Sequence, residues 1–93
     1  MKVTTVEKIN FVCDKFNGFQ QEITPFVRMI TLCDLCGTLV ESETGISMYY
    51  TTRTNLFMAD KQIDFVFFLN VDEFSSWINS YVKNHQHYYR LAT

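Results

Sequence analysis

Residues 62–69, QIDFVFFL, form the clearest strand of this chain and decide its fold class. Apolar residues occupy every second position, and a strand places such alternating side chains on one face of a sheet. These residues are Ile63, Phe65, Phe67 and Leu69. If this strand lies at the edge of a sheet, its apolar run can pair with a second copy of the chain, which would give a homodimer.

Further strands are predicted upstream, in segments rich in β-branched and apolar residues and bounded by turn signals. The segments are residues 26–33, 38–42 and 46–52, with residues 55–59 as either an extension of the last or a separate strand. A turn at Asp34–Gly37 separates the first two, and Glu43-Thr44-Gly45 is a hairpin signal. Because the connections are too short for parallel crossovers, we expect antiparallel pairing.

A helix is predicted near the N-terminus, over residues 4–17. Thr4 and Glu7 have the spacing of a capping box. Apolar residues then recur at helical spacing; they are Val6, Ile9, Cys13 and Phe16. Asn17-Gly18 supplies the stop, because glycine takes the left-handed C-terminal conformation without Cβ strain.

A second helix is predicted from Asn70 to about residue 84. Asn70 and Glu73 again have capping-box spacing, and Asp72 is an alternative cap. The apolar stripe of this helix consists of Val71, Phe74, Trp77, Ile78, Tyr81 and Val82. The residues that follow, HQHYYRLAT, either extend the helix or fold back as an edge strand.

These elements predict a single α+β domain over residues 1–93, with an antiparallel β-meander of three to five strands flanked by an N-terminal and a C-terminal helix. We expect both helices to cover one face of the sheet. A chain of this length is too short for a doubly wound or barrel enzyme.

Composition narrows the class of function. The formal net charge is -2, which predicts neither a strongly basic nucleic-acid binder nor a strongly acidic mimic. The apolar runs are much shorter than a membrane helix needs, and Met1-Lys2 is not followed by the apolar core of a secretory signal. Three cysteines without such a signal indicate reduced thiols. We therefore predict a cytoplasmic protein without a membrane partner.

Aromatic residues are numerous for so short a chain, with nine Phe, five Tyr and one Trp. A domain this small buries only about 60% of the surface of its unfolded chain, so some rings should stay exposed. Exposed aromatic clusters often mark a partner surface. We take the aromatic and basic C-terminal segment as the candidate partner-binding site; its residues are Tyr81, His85, Tyr88, Tyr89 and Arg90.

The one local motif is CDLCG, Cys33 to Gly37. Two cysteines separated by two residues can direct both sulfurs at one metal ion, and the following glycine can turn backbone N–H groups toward them. Over these five residues the motif resembles the knuckle of zinc-ribbon proteins, which implies Cys33 and Cys36 as zinc ligands. A structural zinc site needs four ligands, and the chain has no second such pair.

The stretch DLCGTLVES, Asp34 to Ser42, is similar to the first motif of the haloacid-dehalogenase phosphatases, D-x-D-G-T-L. That resemblance implies Asp34 as a phosphate-attacking nucleophile on a parallel sheet. Cys36 stands where the family has its second Asp, and a thiol is a poor magnesium ligand. Cys33 and Cys36 could alternatively form a redox pair.

We predict a small non-enzymatic protein that binds another protein, either a second copy of itself or a host protein. Phe, Tyr, Ile, Asn and Lys are common while Gly, Ala, Arg and Pro are scarce, which indicates an AT-rich genome such as that of a bacteriophage or a low-GC bacterium. A bacteriophage protein of this kind would inhibit a host enzyme or defence system by occluding its surface in the host cytoplasm. No cofactor is predicted. A zinc-stabilised interaction module built on Cys33 and Cys36 is the first alternative, and a small redox or phosphatase-like protein is the second.

Overall fold

The computed structural model describes residues 3–52 and 63–84. Two helices and five strands follow one another there: α1 (Val3–Lys15), β1 (Phe19–Thr24), β2 (Val27–Leu32), β3 (Leu35–Ser42), β4 (Gly45–Thr52), β5 (Asp64–Phe68) and α2 (Val71–Asn84). The strands form one sheet in chain order, and every neighbouring pair is antiparallel. The predicted α+β meander with a helix at each end is confirmed.

The sequence does not predict β1, and β3 starts at Leu35 rather than at the predicted residue 38. β1 has the sequence FQQEIT and lies at the edge of the sheet, where it pairs with β2 through a register shift between Glu22 and Thr24. Leu32 pairs directly with Leu35, so the predicted turn at residues 34–37 is wrong. The turn consists of Cys33 and Asp34, and Cys36 and Gly37 belong to β3. The strand considered at residues 55–59 lies outside the described residues.

Both helices pack on one face of the sheet. Every second residue of the three central strands points to this face, and β5 adds Phe68 to it. A single core joins these residues to the apolar stripes of the helices; its members are Ile9, Val12, Cys13, Ile30, Leu32, Leu35, Leu39, Ile46, Met48, Phe68, Val71, Phe74 and Ile78. We call this side of the sheet the helix side and the opposite side the open face.

The end of α1 is a Schellman motif, in which two backbone N–H groups satisfy carbonyls of the last turn. Gly18 N–H donates to the carbonyl of Cys13 at 2.7 Å, and Asn17 N–H donates to the carbonyl of Asp14 at 3.1 Å. The left-handed residue is Asn17, with φ of 55°, rather than Gly18 as predicted. Gly18 serves a different purpose, because a Cβ there would lie 2.9 Å from the carbonyl oxygen of Thr31.

The start of α2 follows the predicted capping pattern. The Asn70 side-chain oxygen accepts a hydrogen bond from Glu73 N–H at 3.0 Å, and the Glu73 carboxylate accepts one from Leu69 N–H at 2.7 Å. These bonds satisfy two backbone donors at the point where β5 passes into the helix. The Thr4 side chain of the other predicted box lies outside the described residues.

Replacing Gly18 with alanine should lower the free energy of unfolding by about 1–3 kcal/mol, because the new methyl group clashes with backbone of β2. Asn17→Gly is the matched control, since it removes a side chain from a left-handed position and should change stability by no more than about 0.5 kcal/mol. Urea unfolding of both variants measures the two effects. Equal stability of Gly18→Ala and the wild type would contradict the close approach of α1 to β2.

Candidate functional site

The charged residues of the five strands all lie on the helix side of the sheet. Register partners in an antiparallel pair point to the same face. Arg28 pairs with the core residue Leu39, and Glu41 pairs with the core residue Ile46. The complete set is Glu22, Arg28, Glu41 and Asp64.

These charges occupy the margins of the helix side. The guanidinium of Arg28 is buried and donates from Nε to the Gln20 side-chain oxygen at 2.9 Å and from Nη1 to the Glu22 carboxylate at 3.1 Å. Gln20 and Glu22 belong to β1, so this network fastens the edge strand to β2. A buried guanidinium is tolerated because it has such partners.

The open face is built entirely from uncharged residues in the described strands. Its outward side chains are Phe19, Gln21, Val27, Met29, Thr31, Cys36, Thr38, Val40, Ser47, Tyr49, Thr51, Phe65 and Phe67. The large apolar ones among them, Phe19, Met29, Tyr49, Phe65 and Phe67, are 40% to 64% exposed. An antiparallel sheet with one solvated face ordinarily carries its polar residues on that face. In this sheet the charged strand residues lie on the helix side, and the exposed apolar residues lie on the open face.

The open face has a ridge beside a trough. The ridge consists of Tyr49, Phe65 and Phe67, and the rings of Tyr49 and Phe65 lie 5.0 Å apart at 52°. The trough lies over β3, whose outward side chains Cys36 and Thr38 are small. A cavity of about 250 Å³ opens above these two residues. The open face is therefore apolar and also has relief, with a ridge of rings beside a trough of small side chains.

A larger cavity, of about 1180 Å³, lies at one end of the helix side between the starts of the two helices and the β3–β4 hairpin. Its lining includes Lys8 and Asp72, which form an exposed ion pair at 3.4 Å, together with Glu41 and Glu43. Among the described residues that line this larger cavity, there is no Cys or His that could act as a nucleophile. Mixed, exposed charge of this kind is typical of solvated surface.

The structure places Cys33 and Cys36 on opposite sides of the sheet. Cys33, in the β2–β3 turn with φ of 66°, packs against the core on the helix side. Cys36 points into the trough of the open face. Among the described residues, no three His, Cys, Asp or Glu side chains are grouped so that they could hold a metal ion. The zinc module built on these two cysteines stays a prediction. The structure does not place the two thiols on the same face of the sheet.

Burial also affects the chemistry of the thiols. Desolvation, reinforced by the Asp34 carboxylate, raises the pKa of Cys33 to about 11. Desolvation in the core, with a further contribution from Asp14, raises the pKa of Cys13 to about 11. A reactive cysteine needs a low pKa, since the thiolate is the nucleophile. The environment of Cys33 therefore disfavours the thiolate that a redox pair with Cys36 would use.

Tyr81 is the one predicted tail residue that the structure describes. Its hydroxyl donates to the Asp34 carboxylate at 2.7 Å, and its ring stacks on Trp77 with centroids 5.5 Å apart. Burial, followed by the hydrogen bond to Asp34, raises the pKa of Tyr81. Tyr81 thus ties α2 to the β2–β3 turn. The other predicted partner-binding residues, His85, Tyr88, Tyr89 and Arg90, lie outside the described residues.

Asp34 is buried in the same turn. The phosphatase resemblance implies a nucleophilic carboxylate on a parallel sheet, whereas the described sheet is antiparallel throughout. The contact that the structure assigns to Asp34 is the hydrogen bond from Tyr81.

Comparisons with protein-family models, with curated proteins and with solved structures gave no match to this chain. Neither of the described helices combines the length and the apolar character needed to cross a membrane.

The sequence predicts the strand that carries Phe65 and Phe67, but the alternation of its residues does not indicate which side of the sheet the helices cover. The open face is therefore absent from the predicted sites. A usable signal was present: the charged strand residues Arg28, Glu41 and Asp64 alternate out of phase with the exposed apolar positions.

Tyr81→Phe should lower the free energy of unfolding at pH 7 by about 1–3 kcal/mol, because the buried Asp34 carboxylate loses its donor. Tyr49→Phe removes a hydroxyl from an exposed ring and is the matched control. Because the pKa of Tyr81 is higher in the folded protein than the ordinary value of 10.0, the neutral hydroxyl contributes its full stabilisation below pH 10. This stabilisation decreases as the pH rises above 10, because the unfolded chain loses the tyrosine proton first. Urea titrations at neutral and alkaline pH should therefore show the wild type losing its advantage over Tyr81→Phe.

Iodoacetamide should modify Cys13 and Cys33 slowly in the native protein near neutral pH, because burial keeps both as thiols. Unfolding in urea should raise both rates, which peptide mass spectrometry measures for each cysteine. Rapid native modification of Cys33 would contradict this expectation and support the redox alternative.

Proposed function

We propose that this protein acts by binding another protein chain through the open face of its sheet, without catalysing a reaction. The supporting observation is the uncharged, partly exposed apolar surface that extends from Phe19 on β1 to Phe67 on β5. Contiguous apolar surface of this extent on a small protein is typical of an interaction site.

The chemistry of the face matches the centre of protein interfaces. Such centres are depleted of charged residues and enriched in aromatic residues and methionine. Tyr49 and Met29 flank the trough, and Phe65 packs beside Tyr49. Rigid aromatic anchors of this type supply most of the binding energy in measured interfaces.

The hydroxyl and amide groups of the face suit a protein partner. Thr38 and Ser47 are half-buried, and Gln21 is exposed between Phe19 and Met29 in the outward row. These groups can hydrogen-bond to a partner without the large desolvation cost of a buried charge. Inhibition of a host enzyme by occlusion is one use of such a surface and stays a prediction from composition.

Site-specific photo-crosslinking inside cells tests the proposal. A benzophenone amino acid replaces Tyr49 at the centre of the ridge, and the matched control carries it at Ser76, which is exposed on α2. We expect protein adducts from position 49 and few from position 76. The open face presents apolar surface to a partner, whereas Ser76 is an exposed residue of α2, which packs on the opposite side of the sheet.

Adducts that form equally from both positions, or only from position 76, would contradict the proposal. A protein that gives no adduct from either position would contradict it as well. Unfolding curves for both labelled proteins establish that the label leaves the fold intact.

A further inference from the structure

We propose that the chain bound by the open face is a second copy of this protein, so that two five-stranded sheets pack face to face with their helices outside. This rests on the proposed function and names its partner. The dimer would be an aligned β-sandwich, in which two sheets lie about 10 Å apart.

Charge is the first reason. A two-fold axis brings each patch of a surface close to its own copy, so a charged patch would repel itself. The open face has no charge on its described strands, and the chain as a whole carries -2. Another described surface, the rim with Glu41, Glu43 and Asp72, has three carboxylates beside one cation, Lys8. The described strands of the open face instead let two copies meet without bringing like charges together.

Shape is the second reason. The ridge on β4 and β5 lies directly beside the trough on β3, because Tyr49 pairs with Thr38 in the register. A two-fold axis that runs parallel to the strands between β3 and β4 sets the ridge of each copy over the trough of the other. Tyr49 of one copy then meets Thr38 of its partner, and the reverse contact forms by symmetry.

Area is the third reason. Strands lie about 4.8 Å apart and rise about 3.3 Å per residue, and β2–β5 of the two copies overlap about this axis, so each copy contributes about 430 Å². The two flat faces together amount to about 860 Å², and the projecting side chains add to that area, which places the interface at the small end of specific protein contacts. The exposed rings of Tyr49, Phe65 and Phe67 would be covered in this arrangement.

The measurement is the mass of the full-length wild-type protein by native mass spectrometry and by light scattering across micromolar concentrations. We expect twice the 11.0 kDa of one chain. A single-chain mass at every concentration would overturn the dimer.

Lysine substitutions locate the interface. Met29→Lys and Tyr49→Lys place a charge in the apolar interface, and each should raise the dimer dissociation constant about a hundredfold or more, because each ammonium group loses its water without gaining an acidic partner. Ser76→Lys on α2 is the matched control and should stay dimeric. A dimer that survives both face substitutions would overturn the proposal in favour of pairing through the edge strand β5.

The crosslinker at position 49 gives a readout that does not depend on these variants folding. In the purified protein that carries the label at position 49 and no other change, we expect a crosslinked dimer. In this dimer the label of one chain is joined to the peptide of the other chain that contains Thr38. Adducts in cells to a different protein alone would overturn the self-association and leave the proposed function standing. Absence of every adduct would overturn both.

Discussion

The register of two hairpins is the constraint on which the rest of this structure depends. Cys33–Asp34 and Glu43–Thr44 are two-residue loops, and they fix β2, β3 and β4 so that every second side chain faces the helices. Because the side-chain period of a strand is two, a slip of one residue would exchange the faces completely. Core residues such as Leu39 would then be exposed, and Glu41 would move to the open face.

The helices secure this register from one side only. Trp77 of α2 makes ring contacts with Tyr50 and Phe68, which belong to neighbouring strands β4 and β5. Tyr81 holds the β2–β3 turn through Asp34, at the far end of the same helix. The Lys8–Asp72 pair joins the two helices but is exposed, so it adds little to stability. Apolar packing and the part-buried Tyr81–Asp34 hydrogen bond are therefore the main contacts by which α2 holds the sheet.

The elements that the sequence predicted well are those with strong local signals. Asn70 and Glu73 cap α2 as their spacing indicates, and Glu43–Gly45 forms a hairpin. β1 was missed because FQQEIT lacks alternating apolar residues and its pairing is irregular. Gly37 looked like a turn residue, yet it lies in β3 opposite Ile30, where an added Cβ would lie 3.3 Å from the Met48 sulfur. The positive φ of the turn falls instead on Cys33, which no propensity rule predicts.

The candidate site could not be predicted from the sequence, because it depends on which face of the sheet the helices cover. Alternation in QIDFVFFL states that Phe65 and Phe67 share a face, but only the packing of α2 on Phe68 shows that this face is the open one. A monomeric sheet of this kind gains solubility from a single lysine on its outward strands. None of the described outward positions carries one, while Arg28 is buried on the opposite side. The one buried strand charge, Arg28, lies on the helix side, and the described open face carries none; this placement supports the proposal that the open face is covered by a partner.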